Sequence, residues 1–298
     1  MKKQLKLLTW RFYIFGFKIF LRWLPEKAYV RLRHRWQVGT KLDLDNPKRF
    51  NEKINWLKFY DRNPLYTRMV DKIEARKYVA DKIGKQHVVP ILGVWNSFDE
   101  IEFDKLPESF VLKCNHDSGS YVIVTDKKRM DVNKARKRIT NALKRNFYYN
   151  AKEWPYKDVR ALVFAEKHVG YVKTDYRFFV FNGQVRFIEV FIDGVTNRRV
   201  NLYTPDWEYM AVCHQYPTDA TYEVERPDKL EEMMNIAVKL AHGIPFLRVD
   251  LWIIGNNIYF NEFTFCPNAG FGSFDPVEYD TIFGEYLVLP NRRIEGAS

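Results

Sequence analysis

The chain is poor in cysteine: Cys114, Cys213 and Cys266 are the three in 298 residues. They are odd in number and far apart, which argues against a disulfide framework or a zinc knuckle and leaves reduced thiols as the plain reading. No GxxxxGK(S/T) occurs, so P-loop NTPase chemistry is excluded. HExxH and GxSxG are absent as well, which removes the common zinc-protease and serine-hydrolase signatures. No uncharged run approaches the roughly 20 residues of a membrane span. There is no internal repeat, low-complexity linker or long charge block.

What is present is ordinary in bulk and uneven in detail. Hydrophobic residues make up 46% and charged residues 29%, as in a soluble globular protein, while aromatics are high at 16%. Lysine and arginine outnumber the acids, giving a net charge of +11. That balance favours anionic partners such as nucleotide phosphates, acidic glycans, anionic lipid surfaces or nucleic acid, and does not choose among them. Residues 7–25 are apolar and aromatic but interrupted by Arg11, Lys18 and Arg22, without a small-residue cleavage site. Two readings stand for this segment: a helix docked on the core, or an aromatic-basic helix on a membrane surface.

The pattern predicts a helical N-terminal region over residues 1–62, then an α+β arrangement with mostly antiparallel strands. We expect one lobe over 63–170 and a second over 171–298. Residues 63–84 start at Asn63-Pro64 and end in Gly84, as a helix should. Short strands are expected over 88–95, 109–115 and 121–125, a basic helix near 131–148 and a strand over 161–169. Residues 174–192 form a hairpin around Asn182-Gly183, the favoured two-residue turn. A further helix is expected over 228–242.

The most telling stretch is RVDLWIIGNNIYFNEFTFCPNAG, residues 248–270. Two apolar runs flank Gly255-Asn256-Asn257, which reads as a three-residue hairpin loop. That loop places Asp250 opposite Glu262 and Arg248 opposite Thr264, all four on one face. Two carboxylates and a hydroxyl are hard ligands for Mg²⁺, and an arginine suits phosphate.

Other residues point the same way less strongly. In FVLKCNHDSGS (110–120) Lys113 lies in an apolar strand, where an ammonium is costly unless it meets an anion or water. The Asn115–Ser120 loop offers backbone N–H groups and the Ser118 and Ser120 hydroxyls to phosphate, or is an ordinary turn. Asp175 and Arg177 share a strand face, as a phosphoryl clamp or a surface ladder. The strand VFAEKHV ends at Glu166 and Lys167, suited to a nucleotide's polar atoms or to a plain strand end. Lys72 and Arg76 lie four apart on a helix, a basic face whose plain reading is solvation. Asp43-Leu44-Asp45 matches the DxD of some metal-dependent glycosyltransferases, but it sits in a polar N-terminal region, not after an apolar strand.

Taken in order, these pieces resemble an ATP-grasp enzyme, and more closely the TupA-like ATP-grasp family. The likeness runs through NPKRFNEKINWLKFYDRNPLYTRMVDK (46–72), VDKIEARKYVADKIG (70–84), LPESFVLKCNHDSGS (106–120), DYRFFVFNG (175–183), RVDLW (248–252), YFNEFTF (259–265) and FGEYLVL (283–289). The resemblance implies an ATP-grasp fold with a helical N-terminal region, ATP and Mg²⁺ as cofactors, and carboxylate–amine ligation through an acyl phosphate. It implies that Lys72 and Lys113 hold ATP phosphates under a loop of Ser118, Gly119 and Ser120. Glu166, Lys167 and Val169 match the adenine and ribose hinge. Arg177 and Arg248 stand near the transferring group, with Asp250, Glu262 and Thr264 as Mg²⁺ ligands and Pro267–Gly270 as the loop near the acceptor.

By the same resemblance, the substrates belong to cell-surface polysaccharide: an acidic sugar or an amino acid, or a lipid-linked glycan. The expected location is cytoplasmic, with peripheral contact to the inner membrane face through residues 7–25; nucleic acid is not the expected partner. A glycosyltransferase using Asp43 and Asp45, and a silent glycan- or nucleic-acid-binding protein, are the competing readings.

Overall fold

The computed structural model describes residues 21, 23–172, 174–192, 199–222 and 224–291. Most of the 7–25 segment therefore lies outside the described residues. Among the described residues no helix is long and apolar enough to cross a membrane.

Two antiparallel sheets carry the fold. The first has four strands, β1 (Ile91–Trp95), β2 (Phe110–Cys114), β3 (Tyr121–Val124) and β4 (Val163–Lys167), in the order β1-β4-β2-β3. On one of its faces Phe110, Leu112, Cys114, Val163 and Ala165 pack on Ala135, Ile139 and Ala142 of helix Val132–Leu143. That is the expected period-two alternation, and it leaves Val111, Lys113 and Glu166 on the opposite face.

The second sheet has six strands. In space they run β11 (Asn257–Thr264), β10 (Phe246–Ile254), β5 (Thr174–Phe181), β6 (Gln184–Ile192), β7 (Arg199–Tyr203) and β8 (Tyr209–Met210). The β5–β6 hairpin turns at Asn182 and Gly183, both at positive φ, as a type I′ turn requires. A small two-stranded sheet pairs β9 (Cys213–His214) with β12 (Phe274–Asp275).

One face of the large sheet is mostly apolar. Phe178, Val180, Leu247, Val249 and Leu251 pack there on Met233, Ala237 and Leu240 of helix Leu230–Leu240. The other face is split. At one end Phe179, Phe181, Phe187 and Phe246 pack on Phe50, Ile54 and Phe283, with the Phe50 ring 5.3 Å from Phe246 and 5.7 Å from Phe181. At the other end that same face carries Asp175, Arg177, Glu189, Arg248 and Asp250.

The N-terminal helices are interrupted around Pro25, Gly39 and Pro47, and one further break falls within 63–84. They run over Glu26–Gln37 and Phe50–Tyr60, and the stretch expected as one helix over 63–84 is two, Leu65–Val70 and Lys72–Ile83. The break falls at Asp71, whose extended backbone and carboxylate cap the second helix by accepting from the Ile73 amide at 2.8 Å. Its other oxygen accepts from Asn115 Nδ2 at 2.8 Å, which joins the start of this helix to the turn after β2.

Candidate active site

A row of four charged side chains crosses the large sheet. Glu262, Asp250, Arg177 and Glu189 stand directly opposite one another on β11, β10, β5 and β6. Opposed residues share a face, so the row is contiguous. Arg248 grips Asp250 with both arms, Nε to Oδ1 at 2.7 Å and a terminal nitrogen to Oδ2 at 2.6 Å. The same nitrogen reaches Glu262 at 3.2 Å, so a guanidinium bridges the two acids. Arg177 bonds Asp175 at 2.8 Å and lies 3.6 Å from Asp250, with its guanidinium 3.5 Å from the Phe191 ring centre. Thr264 faces Arg248 across the strands.

The pairing agrees with the sequence reading, but its cause does not. The turn is two residues long: Ile254 pairs with Asn257, and Leu251 with Phe260. A bulge at Asn261 then adds one residue to β11, so Asp250 still meets Glu262. Without that bulge a two-residue turn would put Asp250 opposite Asn261.

The four-stranded sheet supplies a cation of its own. Lys113 Nζ lies 2.5 Å from Glu166 Oε1, while the other Glu166 oxygen accepts from Arg76. Glu166 is 3% exposed and Arg76 4%. Arg76 therefore corrects the solvated-face reading: it is buried, bonds the Lys72 carbonyl at 2.6 Å and holds a carboxylate. Burial pushes the Lys113 ammonium below its usual pKa, against the pull of Glu166. Burial also pushes Glu166 upward, but Arg76 and then Lys113 outweigh it and hold the carboxyl low. The Lys113 ammonium is 5.6 Å from the Trp252 ring centre, so the two sheets meet here.

The loop after β2 is less open than a phosphate cradle. Ser118 and Gly119 are exposed, with Gly119 at φ 85°. Ser120 is buried, donates to the Asp117 carboxylate and accepts from Arg145 at 3.0 Å. Lys72 Nζ donates to the Asp117 carbonyl. Lys167 is exposed at the end of β4 and Val169 follows it outside any strand.

Burial raises the Asp250 carboxyl to about 7 against the opposing pull of Arg248 and Arg177. For Glu262, burial is outweighed by Arg248, Lys72, Arg177 and Lys113, and the group is held low. The two acids thus respond differently because Asp250 is the more deeply buried. Two opposed carboxylates already bridged by a cation, with a hydroxyl alongside, form a donor set that fits a hard divalent ion. Among the described residues no group of three or more His, Cys, Asp and Glu forms a metal cluster, so any such ion draws on few protein ligands.

Several residues here escaped the sequence reading. Glu189 is buried, and its carboxylate meets His214 Nδ1. Burial pushes Glu189 up, but His214, Arg248 and Arg177 together hold it low. Its signal was available: an acid inside the apolar run FIEVFI. The loop after β11 is built by helix Phe50–Tyr60, which uses one face at every turn. Asn51 Nδ2 bonds the Gly272 carbonyl at 2.9 Å, Asn55 Nδ2 the Gly270 carbonyl at 2.7 Å, and Lys58 Nζ the Ala269 carbonyl at 2.9 Å. These carbonyl bonds help hold Asn268 and Ala269 at φ 48° and 58°, a conformation that costs of order 1 kcal/mol per residue. Asp43 by contrast caps its own turn, accepting from the Asp45 and Asn46 amides at 2.9 Å each.

Two antiparallel sheets, one with buried acids and the other with a half-buried lysine, form the arrangement expected of an ATP-grasp protein. The chain belongs to the TupA-like ATPgrasp family, whose model matches residues 52–288. No curated protein matches its sequence. Among solved structures it is similar to the ATP-grasp ligase PsnB complexed with minimal precursor, at 12% identity and TM-score 0.41, over 72% of this chain and 59% of that one. The D-alanine–D-alanine ligase from Bacillus anthracis complexed with ATP gives 14% identity and TM-score 0.41, over 74% and 63%. A RimK domain ATP-grasp protein from Sphaerobacter thermophilus DSM 20745 gives 12% and 0.44, over 76% and 70%. The chain thus spans less than two thirds of the length of the first two. The family match, not these likenesses, carries the assignment.

Proposed function

We propose that this chain is an ATP- and Mg²⁺-dependent carboxylate–amine ligase that works through an acyl phosphate. Family membership supports the nucleotide. The observation that carries the reading is the Asp250–Glu262 pair, Asp250 fully buried and Glu262 partly exposed, bridged by Arg248, with Lys113 of the other sheet over Trp252, two residues along the same strand from Asp250. Asp250 and Glu262, with Thr264 beside them, would hold Mg²⁺, which when bound neutralises phosphate charge. Lys72 and Lys113 bind the phosphates as point charges, and Arg177 faces the group in transfer. Phosphoryl transfer needs positioning and charge neutralisation more than covalent help, so no nucleophile is required of the protein. Glu166, locked by Arg76 and Lys113, fixes the lysine's position, while Lys167 and Val169 follow it as the stretch suited to adenine and ribose. Ser118 and Gly119, at the exposed loop tip, and the buried Ser120 would close over the phosphates.

The substrates we infer are an acidic sugar or amino acid of a cell-surface polysaccharide, joined through an amide, and the net charge of +11 supports an anionic one. A lipid-linked acceptor would suit a cytoplasmic enzyme held at the membrane by residues 7–25. The test is a thermal-shift and ADP-release screen of ATP–Mg²⁺ against uronates and amino acids. ADP release requiring both a carboxylate and an amine supports the reading, and ATP stabilisation that survives Lys113→Ala refutes the nucleotide site.

A further inference from the structure

We propose that His214 is the acceptor-side base of this site, oriented by Glu189, with Asn268 holding the place at Nε2 that the acceptor's nitrogen would take. The inference rests on the ligase reading above and assigns a residue that reading leaves idle.

The hydrogen bonds fix the direction of the relay. Glu189 is held as a carboxylate and can only accept, so His214 Nδ1 carries the proton between them. In the neutral form of the ring, with its proton on Nδ1, the lone pair lies on Nε2. Asn268 Nδ2, which can only donate, lies 2.8 Å from that nitrogen. His214 is 3% exposed and stacked on Phe274 with centroids 4.6 Å apart, so its ring has one orientation. The Asn268 side chain, by contrast, belongs to an exposed residue at a loop tip. Its amide nitrogen stands where an acceptor's nitrogen would have to stand to give a proton to Nε2.

Two features show that this contact is built. A Cβ on Gly272 would lie 2.8 Å from His214 Nε2 and 2.9 Å from Asn268 Nδ2, so only glycine at 272 leaves room for both. The Asn268 backbone is held left-handed within the loop that Asn51, Asn55 and Lys58 tie down. The base is also in the right place. Glu189 is the direct cross-strand neighbour of Arg177, which neighbours Asp250, so the relay lies at the end of the charged row.

The chemistry asks for such a group. A primary amine of lysine type has a pKa of about 10 and is an ammonium at neutral pH, without a lone pair for attack. His214 Nε2 takes one proton from the ammonium. The freed lone pair forms the C–N bond to the acyl carbon, and the C–O bond to phosphate breaks. The second nitrogen proton leaves with the phosphate as HPO₄²⁻, and His214 returns its proton to water.

The test compares His214→Gln with wild type on the carboxylate found by the ADP-release screen, using a primary amine or hydroxylamine as nucleophile. Hydroxylamine is uncharged at neutral pH and needs no base. The amine reaction should fall on the order of 10²-fold or more, the hydroxylamine reaction should hold within a few-fold, and raising the pH should restore the amine rate. Equal loss of both reactions, or loss of neither, overturns the assignment. Glu189→Gln, checked by its melting temperature, should show the same split more weakly and guards against a misfolded first variant. A wild type that releases no ADP with any pair refutes the ligase reading itself, and the base role with it.

Discussion

Lys113 and Glu166 form a 2.5 Å ion pair on adjacent strands, and Arg76 holds the second Glu166 oxygen. The three are one buried unit, so its members are not equivalent to mutation. Glu166→Gln leaves two buried cations without a counter-charge and should cost about 3–5 kcal/mol. Lys113→Met leaves Glu166 paired with Arg76, so it should melt closer to wild type yet lose stabilisation by ATP. Urea denaturation and thermal shift with ATP–Mg²⁺ check both; equal destabilisation by the two substitutions would count against this division.

Asp250→Asn and Glu262→Gln keep the shape of the paired strands and remove one charge each. Either should lower ADP release on the order of 10²-fold or more. Each should also flatten the dependence of ATP-induced stabilisation on Mg²⁺ concentration. Unchanged magnesium dependence in both variants would remove these residues from the metal site.

Asn55 holds the 267–270 loop, which the proposed function sets beside the acceptor, through the Gly270 carbonyl. Asn55→Ala strands the buried Gly270 carbonyl, which should cost about 1–3 kcal/mol. Because the loop follows the metal strand, the Michaelis constant for the amine should rise while stabilisation by ATP persists. Loss of ATP stabilisation at a temperature where the variant is folded would contradict this.

His34 gives the fold an acid sensitivity. It is fully buried, donates Nδ1–H to the Thr40 carbonyl at 3.0 Å, and burial lowers its pKa below 6.5, against the pull of Glu52 and Asp280. The unfolded chain takes up the proton more readily than the folded one. The stability it contributes is therefore complete above pH 6.5 and falls as pH drops through the lowered folded value. Urea midpoints from pH 8 down to 5 should fall more steeply in wild type than in His34→Gln, and parallel slopes would clear this residue.

Much of this was readable from the chain. Lys113 stands out because a charge interrupts an apolar strand, which is costly without a partner, and Glu262 because the hairpin register sets it opposite Asp250. The bulge was not readable, because Asn261 looks like any polar strand residue; only the paired strand reveals that it is unpaired. Arg76 was misread because helix spacing shows which residues share a face but not what that face meets. His214 was invisible for a similar reason: it lies on a two-residue strand, and its partner Glu189 is 25 positions earlier.

The three side chains of helix Phe50–Tyr60 that hold the acceptor loop reach partners 211 to 221 positions downstream. During synthesis this helix waits for that loop to be made. At about 5–20 residues per second the wait is roughly 10–40 s. Throughout it, Asn51, Asn55 and Lys58 face an interior that does not yet exist. The order of translation thus leaves this face of the helix unpaired until the chain has been made past Gly272, and Asn51 and Lys53 wait longer still, for Asp280 and Leu287.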